Sequence, residues 1–359
     1  MLLRPTSSPR LPPERLMEDA ARQAVAICVP VRNEAARLPR FLDGLGRLAV
    51  PPATDVAVCL LLDSCTDGSA DIVSDYAHRA AFPVHVATAC RPDANAGIAR
   101  HGAMTLGAAV LGNANGILMT TDADSCPQDD WLRITLAALA GADVVAGNVI
   151  RRGPRRDAAQ DRIERYYADL YALRRRVDPV DWEPPVAHPH SSAANIAIRL
   201  STYAALGGFA PVASGEDARL IDDAARAGFR VRREAASVVH TSTRRQGRAE
   251  GGLATALDWL DRAGIDPVRV THPVDQLWQY RHHAAARSAF RRRDFSALAA
   301  AIRLSVDHVI GVARDCPNAE AFAMRVVPVA PQGMRQVSLP IAEAVLAALV
   351  AAADPARAA

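Results

Sequence analysis

The chain has 359 residues, half of them apolar and 23% charged, which excludes a disordered or collagen-like chain and suffices for one large α/β domain with an appended helical piece, or for two modest domains. The formal charge of +3 is small for this length and argues against nucleic acid as a partner, since duplex binders carry a large basic excess. No apolar run reaches the roughly 20 residues that a bilayer span needs; the best, 341–353, is short and contains Glu343.

Residues 1–23 hold prolines and charges where a signal peptide needs an apolar centre, so they read as a disordered leader on a cytoplasmic protein. From residue 24, short apolar runs alternate with amphipathic stretches: AVAICVPV (24–31), VAVCLLL (56–62), VHVAT (84–88), GILMTT (116–121) and ADVVAGNV (142–149). Runs without in/out alternation suit strands covered on both faces. Helix-start signals stand between them at Asn33 and Ser69. The rhythm predicts a doubly wound, mostly parallel α/β sheet with helices on both faces and a ligand site beyond the carboxyl ends of its strands. The six cysteines are scattered without a CxxC pair, which indicates neither a disulfide framework nor a zinc site.

After residue 150 an Arg-rich turn (Arg151, Arg152, Arg155, Arg156), read as a solvated face, precedes a predicted helix over 158–176. A Pro/His-rich loop spans 183–192, and a strand-like AANIAIR leads to a short helix ending at Gly207 and Gly208. A helix from about Glu216 and a strand pair ending at His240 follow. From Gly251 the text is Ala-rich and helical, with an apolar stripe that predicts packing on the preceding domain.

Neither GxGxxG nor a P-loop follows the first strand; PVRNEA stands there, which excludes both phosphate-cradling loops. The strand ends present carboxylates. Asp122 and Asp124, at i and i+2 in TDADSC, could share a divalent cation with a diphosphate, because hard cations prefer carboxylate and phosphate oxygens. Asp63 ends the second strand and could accept an N–H from a nucleotide base, while Asp67 caps the next helix. Glu216 and Asp217 open a helix. Ser214 and Asp217 fit a capping box there, and the acidic pair Glu216 and Asp217 could supply a general base kept ionised by the helix dipole. His240 reads either as a packing residue or as a further ligand beside Asp124. His188 and His190 read as polar loop residues or acceptor contacts, and Arg244, Arg245 and Arg248 could neutralise a departing diphosphate.

Five blocks in register, VPVRNEAARLPRFLDGL, LLLDSCTDGSADI, GIARHGA, TTDADSCPQDDWL and SSAANIAIRLSTYAALGGF followed by GEDARLIDDAARAGFRV, resemble the family 2 glycosyltransferases. The resemblance covers residues 24–252 and implies a GT-A fold with a nucleotide-binding half over 24–125 and an acceptor half over 126–252, leaving 253–359 as a helical extension. It implies that Pro30, Arg32, Asn33 and Glu34 line the nucleotide pocket, that Asp63 reads the base, and that Arg100 and Arg248 lie on the donor side. Asp124, with Asp122, would hold Mn2+ or Mg2+, His240 would be a further ligand, and Asp217 beside Glu216 would be the base of an inverting transfer. His190 and Asn195 are weaker candidates for acceptor contacts. STRRQGRAEGG stands where the processive synthases carry QxxRW, so polysaccharide synthesis is not expected. The implied partners are a nucleotide-sugar donor and an acceptor hydroxyl, with no nucleic acid. A homodimer face or a peripheral membrane contact remains open for the extension, as do two rivals: a retaining enzyme of the same fold and a non-catalytic binding or scaffold module.

Overall fold

The computed structural model describes residues 22–91, 95–112, 115–154, 157–248 and 251–352. Of the expected leader, residues 1–21 lie outside the described residues, as do Arg155 and Arg156, while Gln23 already pairs with Thr54 in the sheet.

The chain begins with β1 (Gln23–Val31), α1 (Leu38–Leu45), β2 (Thr54–Asp63), α2 (Ser69–Ala77), β3 (Val84–Ala89), α3 (Ala96–Leu111) and β4 (Ile117–Thr120). It continues through β5 (Cys126–Pro127), α4 (Trp131–Leu139), β6 (Val144–Arg152), α5 (Ala158–Val177), β7 (Ile196–Arg199), α6 (Leu200–Ala205), α7 (Glu216–Ala227) and β8 (Val231–Ser242). One eight-stranded sheet results, in the order β3-β2-β1-β4-β7-β6-β8-β5. β7 and β5 run against the other strands, so the sheet is mostly parallel, as expected, with two reversed strands.

Strand alternation sorts the side chains into two cores. On one face Val25, Ile27, Val29 and Val31 of β1 meet Phe41 and Leu42 of α1, Val73 of α2 and Trp131 of α4. On the other, the smaller Ala26 and Cys28 meet Met104 of α3, with Tyr203 of α6 and Leu220 of α7 completing the cluster. The small residues let α3 approach closely: a Cβ on Gly107 would stand 2.3 Å from Cys28 Sγ. That contact fixes the helix that carries Arg100.

The reversal of β7 positions the site. Running antiparallel to β4, it brings its entry, a 3-10 turn over Ala193–Asn195, to the carboxyl end of β4. The expected strand pair ending at His240 is one 12-residue strand, β8, with a register shift opposite Gly147 and Asn148. The helix-start signal at Asn33 is not used either. α1 begins at Leu38, and Asn33 sits in a turn at φ +53° with its side-chain oxygen taking the Thr66 N–H at 2.7 Å. Arg151 is not solvated: its guanidinium pairs with Asp157, Asp161 and Glu164.

Beyond β8 come α8 (Leu253–Ala263), β9 (Arg269–Thr271), α9 (Pro273–Arg292), α10 (Ser296–Ile302), α11 (Val306–Arg314), α12 (Ala319–Val326), β10 (Gln336–Ser338) and α13 (Leu339–Ala352). Their apolar faces form one cluster among α9 to α12 and a second in which Leu277, Leu339 and Leu346 meet Tyr166, Leu170 and Leu173 of α5.

Candidate functional site

A cavity of about 680 Å³ opens at the carboxyl ends of β1, β2 and β4. Asp63, Asp122, Asp124, Glu216 and Asp217 all line it, with Pro30, Arg32, Glu34, Arg100, Arg244 and Arg248. The acidic strand ends therefore converge on one space. Asn33, expected in the nucleotide pocket, does not line the cavity: its side chain holds Thr66, and its carbonyl accepts from Arg248, which does line it, at 2.9 Å.

Arg100 is a buried charge in the site, its side chain 8% exposed. It donates to Asp122 Oδ1 at 2.8 Å, Glu216 Oε1 at 3.3 Å, Thr120 Oγ1 at 3.1 Å and the Ala193 carbonyl at 3.3 Å. Burial works against its charge, but Asp122 and Glu216 outweigh that penalty and hold it more firmly protonated than usual. Arg100 thus ties the end of β4 to the start of α7 from beneath; the sequence reading placed it near a ribose or diphosphate.

Gly215, at φ +78°, turns the chain into α7 and sets Glu216 and Asp217 in its first turn. The expected capping box does not form, since Gly215 takes the cap position and no side chain caps the helix there. Asp217 accepts the Ala193 N–H at 3.1 Å and the Ala218 N–H at 2.7 Å. Glu216 is buried, and burial pushes its carboxyl above the ordinary range against the pull of Arg100, with Asp217 adding to the rise. The two neighbours therefore differ: Glu216 is a buried partner of Arg100, and Asp217 sits at the cavity wall on backbone N–H groups.

On the opposite wall Arg244 bridges two carboxylates. Its Nη1 lies 2.5 Å from Glu34 Oε1 and its Nε 3.3 Å from Asp124 Oδ2, which also accepts from Ser242 Oγ at 2.7 Å. Burial raises the Glu34 carboxyl; Arg244 pulls it down and Asp124 pushes it up. The second oxygen, Glu34 Oε2, is buried and has no hydrogen-bond partner among the described residues. Oxygen donors of Asp122, Asp124 and Glu34 are the chemistry a hard divalent cation takes, although among the described residues no cluster of three His, Cys, Asp or Glu is arranged around a common point.

Three further expected site residues stand elsewhere. His240 pairs across the sheet with Cys126, its Nε2 3.3 Å from Gln128 Nε2 and outside the cavity. The β8 side chain that reaches Asp124 is Ser242, because the strand continues two residues past His240 before it meets the turn after β4. Asn195 is 1% exposed inside the sheet. Its amide donates to the carbonyls of Asn148 and Ser237 at 3.0 and 2.9 Å and accepts from Trp131 Nε1 at 2.8 Å, which leaves nothing for an acceptor. His190 stacks on His188, ring centroids 5.9 Å apart, and neither lines the cavity. Conversely, the Ala193 N–H, Thr120 and Ser242 were not anticipated. A hydroxyl or backbone group carries no pattern until the fold sets it against a carboxylate.

The family model for Glycosyl transferase family 2 matches residues 26–196. No curated protein matches the sequence. Among solved structures the chain is similar to S. aureus TarS in complex with UDP-GlcNAc, at 16% identity over 85% of this chain and 90% of that one, with a TM-score of 0.46. It is similar to the mannosyltransferase PcManGT from Pyrobaculum calidifontis in complex with GDP-Man and Mn2+, at 19% identity over 96% and 83%, TM-score 0.46. A third is glucosyl-3-phosphoglycerate synthase from Mycobacterium tuberculosis with Mn2+, UDP and phosphoglyceric acid, at 19% identity over 71% and 84%, TM-score 0.42.

Proposed function

We propose that this chain, which belongs to glycosyl transferase family 2 through residues 26–196, moves a sugar from a nucleoside-diphosphate donor to an acceptor hydroxyl with inversion at the anomeric carbon. It is a glycosyltransferase of the GT-A type. The observation that carries the finer reading is the convergence of Asp63, Asp122, Asp124 and Asp217 on a single cavity.

In this reading residues 24–125 supply the donor wall. Asp63, 3% exposed at the end of β2, accepts from the base, since a buried acceptor favours a ligand that satisfies it. Pro30, Arg32 and Glu34 flank the nucleotide, and Arg248 closes over it from the segment that already grips Asn33. Asp124 and Asp122 would hold a divalent cation, Mn2+ or Mg2+, whose charge offsets that of the diphosphate; the orphaned Glu34 Oε2 beside them suits such an arrangement.

Asp217 takes the proton of the acceptor hydroxyl as that oxygen bonds to the anomeric carbon. The bond from this carbon to the diphosphate oxygen breaks with its electron pair leaving on the nucleotide. The Ala193 and Ala218 N–H groups hold the Asp217 carboxylate in place at the cavity wall. Asp217 at the cavity wall supports inversion over retention, and His240, expected as a further metal ligand, lies outside the cavity. Among the described residues no single helix is long and apolar enough to cross a membrane.

Replacing Asp217 with Asn keeps the shape and removes the base. Transfer should fall by about 10²- to 10⁴-fold while titration calorimetry shows nucleoside-diphosphate affinity unchanged within about twofold. Near wild-type transfer in Asp217→Asn would remove it as the base. Hydrolysis of no nucleotide sugar by the unaltered enzyme, with binding intact, would favour the non-catalytic module.

A further inference from the structure

We propose that Arg244 is a resident counter-charge which competes with a divalent cation for Asp124 and yields that carboxylate only when a diphosphate enters to receive the displaced guanidinium. This rests on reading the cavity as a donor-diphosphate site and adds a residue that controls how the site loads.

Asp124 and Glu34 arrive from different strand ends, β4 and β1, and are about equally buried, their side chains 10% and 6% exposed. Two carboxylates so placed repel each other, and one guanidinium between them offsets that repulsion. Arg244 stands there, 16% exposed, with Nη1 on Glu34 and Nε on Asp124. With Arg244 between the two carboxylates and Arg248 also acting on Glu34, Glu34 Oε2 still has no hydrogen-bond partner among the described residues. A divalent ion bound to Asp124 through either oxygen lies within a few ångströms of the guanidinium on Oδ2, and repulsion between the two cations favours driving that guanidinium off.

The backbone beside Arg244 is held by its neighbour, while the Arg244 side chain itself is held by Glu34 and Asp124. The next residue, Arg245, is anchored to Asp157 and Asp261 and donates to the Thr243 carbonyl at 2.6 Å. A displaced Arg244 therefore stays at the cavity and needs a new anion. A diphosphate supplies one of suitable geometry, because the planar guanidinium donates two parallel N–H groups to phosphate oxygens. Cation and diphosphate then bind with positive coupling, each removing the cost the other meets.

The test uses the full-length enzyme and Mn2+ alone, with free Mn2+ followed by electron paramagnetic resonance and no nucleotide present. Arg244→Gln should bind Mn2+ about tenfold more tightly than the wild type once the competing charge is gone, whereas Arg244→Lys, which keeps the charge, should stay within about threefold of it. In EDTA, the affinity of Arg244→Gln for inorganic pyrophosphate should fall about tenfold. Mn2+ affinity in Arg244→Gln no greater than in the wild type, or pyrophosphate affinity unchanged, overturns the proposal. Asp124→Asn separates the two readings: if it loses Mn2+ while Arg244→Gln gains nothing, the cation site stands and the competition fails. If Asp124→Asn binds Mn2+ like the wild type, the cation site and the competition fall together.

Discussion

The loop that feeds β7 is closed by His188, 6% exposed, whose Nε2 lies 3.1 Å from the Ala146 carbonyl and whose Nδ1 accepts the His190 N–H at 3.2 Å. Those two contacts require a donor on one nitrogen and an acceptor on the other, which only the neutral ring provides. Burial, with His190 and Arg233 nearby, pushes its pKa from 6.5 down to about 3. The unfolded chain takes up a proton below the ordinary value and the folded chain does not, so the stability from His188 is complete above that value and drains away as pH falls toward the folded one. At pH 5 the loss amounts to about 2 kcal/mol. Urea unfolding of the wild type and His188→Gln at pH 7 and pH 5 should show the variant losing about 2 kcal/mol less over that interval. Parallel losses in the two proteins would mean that His188 does not hold its ring neutral.

At the scale of elements, the join between β6 and β8 depends on one side chain. Where the register slips beside Gly147, the carbonyls of Asn148 and Ser237 are both taken by Asn195, and a Cβ on Gly147 would lie 2.2 Å from that amide. Asn195→Ala should strand these carbonyls and the Trp131 N–H, costing about 2–4 kcal/mol of unfolding free energy in urea. A cost below about 0.5 kcal/mol would show that water replaces the amide. The same slip explains why β8 was not legible as one strand: the polar and small residues Glu234 to Ser237 sit at the irregularity and read as a turn. β1, β2 and β4 were legible because both faces are covered and their runs are continuously apolar, and the acidic residues at or just past their ends could be placed at the sheet terminus for the same reason. The reversal of β7 and the grip of Arg100 on Glu216, 116 residues away, were not. Pairing direction and side-chain reach across the fold are tertiary outcomes with no local period. The misread cap at Ser214 is a case of competition, in which a glycine able to adopt positive φ displaced the hydroxyl.

At the scale of the whole molecule, the helical extension is joined to the domain that carries the cavity. Asn318 caps α12 through the Ala321 N–H at 3.0 Å and donates at 2.7 Å to the Gly228 carbonyl, which ends α7, the helix whose other end bears Glu216 and Asp217. Arg287 of α9, its side chain 8% exposed, pairs with Asp178 at the end of α5 and with Glu320 of α12. Burial raises the Asp178 carboxyl while Arg287 draws it down, so removing the guanidinium leaves a buried acid without its partner. Arg287→Ala should therefore destabilise by about 3–5 kcal/mol. The shared core of α5, α9 and α13 makes the two parts one cooperative unit, so scanning calorimetry should show a single endotherm moved to lower temperature in the variant. Two endotherms in the wild type, or a variant in which only a late-sequence fraction of the heat moves, would show instead that residues 253–352 unfold independently of the sheet.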